Sequence, residues 1–160
     1  MGSRNKHLLS LLLLAVLATL GACGRPVGDS YFISAETARS QGGVYAFDIT
    51  FNDTTARYDL DIAARVIASE LSSGTLDLDI RIQAPDGSTA IERVGLPLSP
   101  APGVKIALGS GSVTDCQWHW REFPGQPGNW RFQFQPADPA QGSALQGLGF
   151  SYTIQHDGKR

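Results

Sequence analysis

The chain has 160 residues, with 13 basic and 15 acidic side chains and a formal net charge of −2. This balance excludes the basic surface that nucleic-acid binding requires, and it offers no attraction to an anionic bilayer. Hydrophobic residues make up 42% of the chain, and the length suffices for one domain with a core.

The N-terminal residues 1–22 follow the order of a secretory signal. Arg4 and Lys6 precede an apolar run over residues 8–20, which is too short to span a bilayer comfortably. The run ends in a short sequence that resembles the lipobox of bacterial lipoproteins, namely Leu20, Gly21, Ala22 and Cys23. The resemblance implies cleavage after residue 22 and diacylation of Cys23, for example by palmitate. We therefore expect acyl chains to hold the protein at a membrane.

The segment after the cysteine is expected to be a tether. Residues 23–43 are rich in glycine, serine and alanine. Within this segment, residues 31–33 could make a short strand, and residues 34–40 could make a helical turn capped by Ser34.

From residue 44 onwards, apolar and polar residues alternate with a period of two. The inward-facing series comprises Tyr45, Phe47, Ile49, Phe51, Tyr58, Leu60, Ile62, Leu76, Leu78, Ile80, Ile82, Trp118, Trp120, Trp130, Phe132, Phe134, Phe150, Tyr152 and Ile154. Turn sequences rich in Gly, Pro, Asn and Asp separate these segments. The pattern predicts an all-β fold over residues 44–156, a single antiparallel β-sandwich or jelly roll, followed by a polar tail over residues 157–160.

One strand pairing can be predicted from charge. Residues 57–66 and 75–84 would form a hairpin whose register joins opposite charges on the wet face and apolar residues on the dry face. The expected pairs are Asp61 with Arg81, Arg65 with Asp77, Ile62 with Ile80, and Val66 with Leu76.

The sequence offers little for catalysis. His119 is the only histidine within the predicted fold, and no nucleophile, zinc or phosphate-loop motif is present. Strand aspartates such as Asp59 and Asp61 are expected in solvated rows rather than around a metal. We therefore expect no enzymatic activity, metal or cofactor. Acylation of Cys23 would leave Cys116 without a partner, as a buried thiol.

Two further features are open to a functional interpretation. Trp118, Trp120 and Trp130 are expected in the core, but Trp118 or Trp120, beside His119, could instead stack on a sugar ring in a glycan-binding module. Residues 53–55 resemble the acceptor sequence of Bacteroidota O-glycosylation, which would place a glycan on Thr54.

Taken in order, these segments resemble the gliding-motility lipoprotein H (GldH) family of Bacteroidota. The matching elements are the lipobox, Phe47–Asp53, Tyr58-x-Leu60, Leu76-x-Leu78-x-Ile80, Pro85-Asp86-Gly87, Leu96-x-Leu98, Gly109 with Gly111, Gly128-x-Trp130-x-Phe132 and Leu145–Gly149. The resemblance implies a non-enzymatic envelope lipoprotein that associates with other envelope proteins, including the gliding and type IX secretion machinery.

The residues behind Cys23 also bear on location. Gly24 is not the aspartate that retains lipoproteins in the inner membrane of enterobacteria, and no acidic run typical of surface lipoproteins follows. We expect an outer-membrane anchor with the domain facing the periplasm.

Overall fold

The computed structural model describes residues 28–71, 73–108, 112–124 and 126–155. The strands are β1 (Gly28–Ser34), β2 (Tyr45–Phe51), β3 (Arg57–Ile67), β4 (Thr75–Gln83), β5 (Thr89–Pro97), β6 (Val104–Leu108), β7 (Val113–Pro124), β8 (Gly128–Pro136) and β9 (Leu145–Gln155). One α-helix, α1 (Ala35–Ser40), and two short 3-10 helices (Ala68–Glu70 and Pro139–Gly142) complete the described elements.

The strands form two antiparallel sheets that pack face to face. Sheet A has the order β1-β9-β3-β7-β6, and sheet B has the order β2-β8-β4-β5. Strands β2, β3, β4 and β8 bury alternate residues, as a sheet with one wet and one dry face requires. The predicted all-β sandwich is therefore confirmed.

Aromatic rings fill the space between the sheets. Phe150 of β9 is 1% exposed, and its ring centroid lies 4.9 Å from that of Phe132 and 5.4 Å from that of Phe134. Phe47 of β2 packs on the same ring at 5.7 Å. These contacts place β2 and β8 of sheet B over β9 of sheet A, and they show that alternation assigned these residues to the correct face.

The tether prediction was wrong for residues 28–43. Residues Gly28 to Ser34 form β1, which pairs along its whole length with β9. The helical turn is confirmed as α1, where the Ser34 side chain accepts a hydrogen bond from the Thr37 amide at 3.2 Å. An edge strand obtains its hydrogen bonds from one neighbour and needs no long apolar run, so composition alone suggested a tether.

The predicted hairpin between residues 57–66 and 75–84 was also wrong. β3 lies in sheet A between β7 and β9, whereas β4 lies in sheet B between β5 and β8. The connection over residues 68–74 crosses from one sheet to the other. Arg65 pairs instead with Asp115 of β7, and Arg93 of β5 pairs with Asp79. Opposite charges do face each other across strands. The partner of Arg65, however, is more distant in sequence than the predicted Asp77.

A bulge interrupts the pairing of β3 with β7. Asp61 faces His119 and Leu60 faces Arg121, so Trp120 is an extra residue on β7. Beyond the bulge, Arg121 occupies the row of the buried Leu60 and faces the space between the sheets. Its guanidinium forms an ion pair with Glu92 of sheet B, and both side chains are about one third exposed.

The predicted signal peptide, the lipidation site Cys23, and the polar tail lie outside the described residues. Within the part of the chain that is described, no helix is long and apolar enough to cross a bilayer.

Candidate binding surfaces

The tryptophans belong to the core, as predicted. Trp118 is 2% exposed, and its indole nitrogen donates to the Pro97 carbonyl at 2.7 Å. Trp130 is buried and donates to the Gln126 carbonyl at 3.0 Å. Neither ring therefore offers a free face to a sugar.

Trp120 is half-buried and its ring is also engaged. The ring meets Phe132, Phe134 and Phe150 edge-on, with centroids 6.1–6.2 Å apart. The Arg121 guanidinium lies over the ring, 4.2 Å from its centroid. A sugar would have to displace this guanidinium to stack on the indole, so the geometry gives the glycan-binding alternative no support.

His119 lies on the opposite face of β7, as alternation predicts. The solvent-facing surface of sheet A, which we call the outer face, brings His119 together with Asp61 and Gln117. The His119 Nδ1 atom lies 3.2 Å from Asp61 Oδ1, and the Gln117 amide donates to Asp61 Oδ2 at 3.0 Å. A shallow polar groove of about 350 Å³ surrounds them, between Lys105 and Thr153.

This polar groove brings a histidine, a carboxylate and an amide together on the outer face. The Asp61 carboxylate lies within hydrogen-bond distance of the His119 ring and orients it, and its other oxygen accepts from the Gln117 amide. Among the described residues, no three His, Cys, Asp or Glu side chains are grouped as a metal site would need.

Beside the polar groove, the outer face carries a shallow apolar trough that sequence analysis missed. One cross-strand row forms it, running from Phe32 of β1 over Gly149 and Ala63 to Gln117 and Lys105. Phe32 is 55% exposed, and its ring lies against Gly147 and Gly149 of β9; a Cβ at Gly147 would collide with the ring. The sequence did contain a signal for this trough. Residues 31–33 are three consecutive large apolar side chains, and a strand cannot turn all three inward, so at least one lies on the outer face.

A bidentate ion pair borders the trough. Arg65 donates to both carboxylate oxygens of Asp115, at 2.8 and 3.1 Å, and lies 5.8 Å from the Phe32 ring centroid. Hydrogen bonding to Arg65 lowers the pKa of Asp115 below its usual value. The acidic side chains on strands were expected to lie in solvated cross-strand rows. Asp115 has this arrangement, and the prediction is confirmed for Asp79, whose two carboxylate oxygens accept hydrogen bonds from Arg93 at 2.7 and 2.9 Å.

Cys116 is a buried thiol, as predicted. It lies next to Asp115 on β7, and burial together with that carboxylate raises its pKa above the usual value. Because the thiolate is the reactive form, this environment makes the sulfur unreactive.

The predicted glycosylation site lies in the loop between β2 and β3. The Thr55 amide and hydroxyl both donate to Asp53 Oδ1 at 2.8 Å, which fixes a tight turn. Thr54 at this turn is exposed. The site is therefore accessible, and its modification stays a prediction.

Comparison with known proteins adds little. No family model and no curated protein matches the chain. A crystal structure of a protein from Sulfurospirillum deleyianum is similar over 85% of this chain and 100% of that chain, with 13% identity and a TM-score of 0.36. A likeness of this size supports no conclusion about function.

Proposed function

We propose that this chain is a lipid-anchored envelope protein whose β-sandwich is a non-catalytic structural or assembly component, as the resemblance to the GldH family implies. Its partners would be other envelope proteins, including components of the gliding and type IX secretion machinery. The filled aromatic core and the shallow outer face, with its groove and its trough, support a role in contacts between proteins.

The observation that carries this proposal is the position of β1. Its first residue, Gly28, follows Cys23 by five residues. Five residue steps of fully extended chain span at most about 18 Å. An acylated Cys23 would therefore keep Gly28, at the start of the edge strand of sheet A, within that distance of the membrane surface, which favours membrane-associated partners.

Replacing the two cysteines one at a time tests the anchor. The Cys23→Ser variant should leave the membrane fraction or accumulate as unprocessed precursor, because no acyl chain can be attached to serine. Cys116→Ser is the matched control and should remain in the membrane fraction. Mass spectrometry of the N-terminal peptide should find Cys23 acylated. Membrane association of Cys23→Ser at the mass of the mature chain, with the leader removed, would contradict the proposal.

The proposed location and the non-catalytic role have separate tests. A periplasm-facing domain should resist protease added to intact cells and become sensitive once the outer membrane is permeabilised. Digestion in intact cells would place the domain outside.

A hydrolytic activity of the purified protein that His119→Ala abolishes would contradict a non-catalytic role. Co-purification from the native envelope should recover secretion or gliding components.

The glycan on Thr54 is proposed from the resemblance of residues 53–55 to the acceptor sequence of Bacteroidota O-glycosylation. Thr54→Ala should increase gel mobility and remove a glycopeptide, whereas Thr55→Ala should retain the glycan because it leaves the acceptor hydroxyl in place.

A further inference from the structure

The free edge of sheet A at β1 is unusually apolar. Among the described residues β1 pairs only with β9, so its other side presents backbone N–H and C=O groups without a strand partner. Three large hydrophobic side chains are exposed in the described residues, and two of them, Tyr31 (38%) and Phe32 (55%), lie on this strand. A bare strand edge with aromatic side chains on both faces is a surface for strand pairing.

The other edge strands carry features that discourage such pairing. β5 turns Glu92 toward the space between the sheets and ends at Pro97. β6 has five residues and exposes Lys105. β2 turns Tyr45, Phe47, Ile49 and Phe51 into the core, so unlike β1 it exposes no aromatic side chain. Charges, proline and short length are common protections of sheet edges.

β1 has little comparable protection. Its one charged side chain is Asp29, near its start, and that carboxylate accepts a hydrogen bond from the Tyr152 hydroxyl at 3.1 Å. No proline lies within the strand. The hydrogen bond and the burial of Tyr152 raise the pKa of its hydroxyl to about 12, so it remains a neutral donor at physiological pH.

We propose that β1 pairs antiparallel with β1 of a second copy of this chain, centred on Tyr31. This register pairs all seven residues: Tyr31 faces its own counterpart, and Phe32 faces the small Ser30 of the other copy. Gly28 then faces Ser34, and Asp29 faces Ile33, so no like charges oppose each other. The strand is thus its own complement, which favours a second copy over an unrelated partner.

A two-fold axis of this kind is compatible with anchoring. The axis is perpendicular to the joined sheet, so both copies of Gly28 lie at the same height along it, and both anchors can enter one leaflet. This step rests on the proposed lipid anchor. Confinement to a membrane also raises the local concentration of copies, which favours the dimer further.

Disulfide trapping of the full chain in its native envelope tests the register. Directly opposed residues have Cα atoms roughly 4.5–5.5 Å apart, within the range that a disulfide bridges. Residues offset by two positions are about 8 Å apart, which is too far. Tyr31→Cys should therefore shift to twice the monomer mass on oxidation, whereas Ser30→Cys alone should not. Coexpressed Ser30→Cys and Phe32→Cys chains should cross-link to each other.

Wild type and Ile91→Cys are the controls. Wild type accounts for Cys23 and Cys116, and Ile91→Cys places an exposed thiol on the edge of the other sheet; neither should dimerise. Absence of the dimer with Tyr31→Cys, an equal dimer yield with Ser30→Cys or Ile91→Cys, or a cross-link at residue 31 to a different protein would overturn the proposal.

A second measurement does not depend on introduced cysteines. Wild type extracted in mild detergent should have the mass of a dimer, and Ser30→Lys, an exposed change that charges the edge, should have the mass of a monomer while keeping its β circular dichroism. A monomeric wild type would overturn the inference. If only the proposed anchor is wrong, wild type will not be found in the membrane fraction, but Tyr31→Cys will still cross-link at residue 31.

Discussion

Replacing Phe150 by alanine tests whether the aromatic cluster between the sheets holds the sandwich together. The ring is 1% exposed and contacts rings from β2, β7 and β8. Truncating a buried phenylalanine to alanine costs about 3–5 kcal/mol, from lost burial and the cavity left behind. The cost is a large share of the roughly 5–15 kcal/mol that stabilises a typical domain.

For a domain of this size, a loss of about 4 kcal/mol corresponds to a fall in Tm of roughly 12–16 °C. Thermal and urea unfolding, followed by far-ultraviolet circular dichroism and tryptophan fluorescence, would measure it. Phe32→Ala is the matched control: it removes the same ring from an exposed position, and its cost should stay below about 1 kcal/mol. If the two variants lose the same stability, the sandwich does not depend on the core assigned here.

Three further predictions concern charged groups and the thiol. Glu92 and Arg121 should show a coupling energy of about 0.2–1 kcal/mol in a double-mutant cycle, because both are about one third exposed; strictly additive effects would contradict the ion pair. Arg65 lowers the pKa of Asp115, so the pair stabilises the fold above the unfolded-state pKa of about 4, and this contribution is lost as pH falls through the folded-state value. The free energy of unfolding of Asp115→Asn should therefore fall less steeply below about pH 4 than that of wild type, and equal slopes would count against the pair. Cys116 should react with a thiol reagent only as fast as the protein unfolds, and rapid labelling of the native protein would show that the sulfur is accessible.

Periodicity of two was sufficient to predict the fold class and the inward-facing residues. Each strand has one wet and one dry face, so the phase of alternation decides burial before any pairing is known. Trp118, Phe132 and Phe150 were assigned to the core on this basis, and all three are buried.

Periodicity could not predict which strands are neighbours. Arg65 had a suitable acidic partner at Asp77 in a hairpin, but β7 offers Asp115 at an equivalent position of its own wet face. Alternation specifies on which face of its strand a residue lies. Which strand becomes the neighbour depends instead on whether the connecting segment folds back or crosses to the second sheet. Residues 68–74 cross, and no local turn sequence distinguishes the two courses.

Only residues 31–33 of β1 were predicted as a strand, because most of β1 is exposed. An edge strand that covers little of the core has no strict alternation, and glycine and serine on either side resemble a linker. The outer-face trough was missed for the same reason, since it exists only once Phe32 is placed beside Gly149 and Ala63.

The bulge at Trp120 links the core, the outer face and the sheet edges. Before it, His119 faces outward with Asp61; after it, Arg121 faces inward and joins Glu92 of β5. This ion pair keeps access to water because it lies at the open side of the sandwich. A strand added beside β5 would bury two charges further, and the cost of removing them from water disfavours that arrangement. On β1 the one charged side chain, Asp29, already accepts a hydrogen bond from the Tyr152 hydroxyl near the start of the strand, which leaves β1 as the edge better suited to accept another strand.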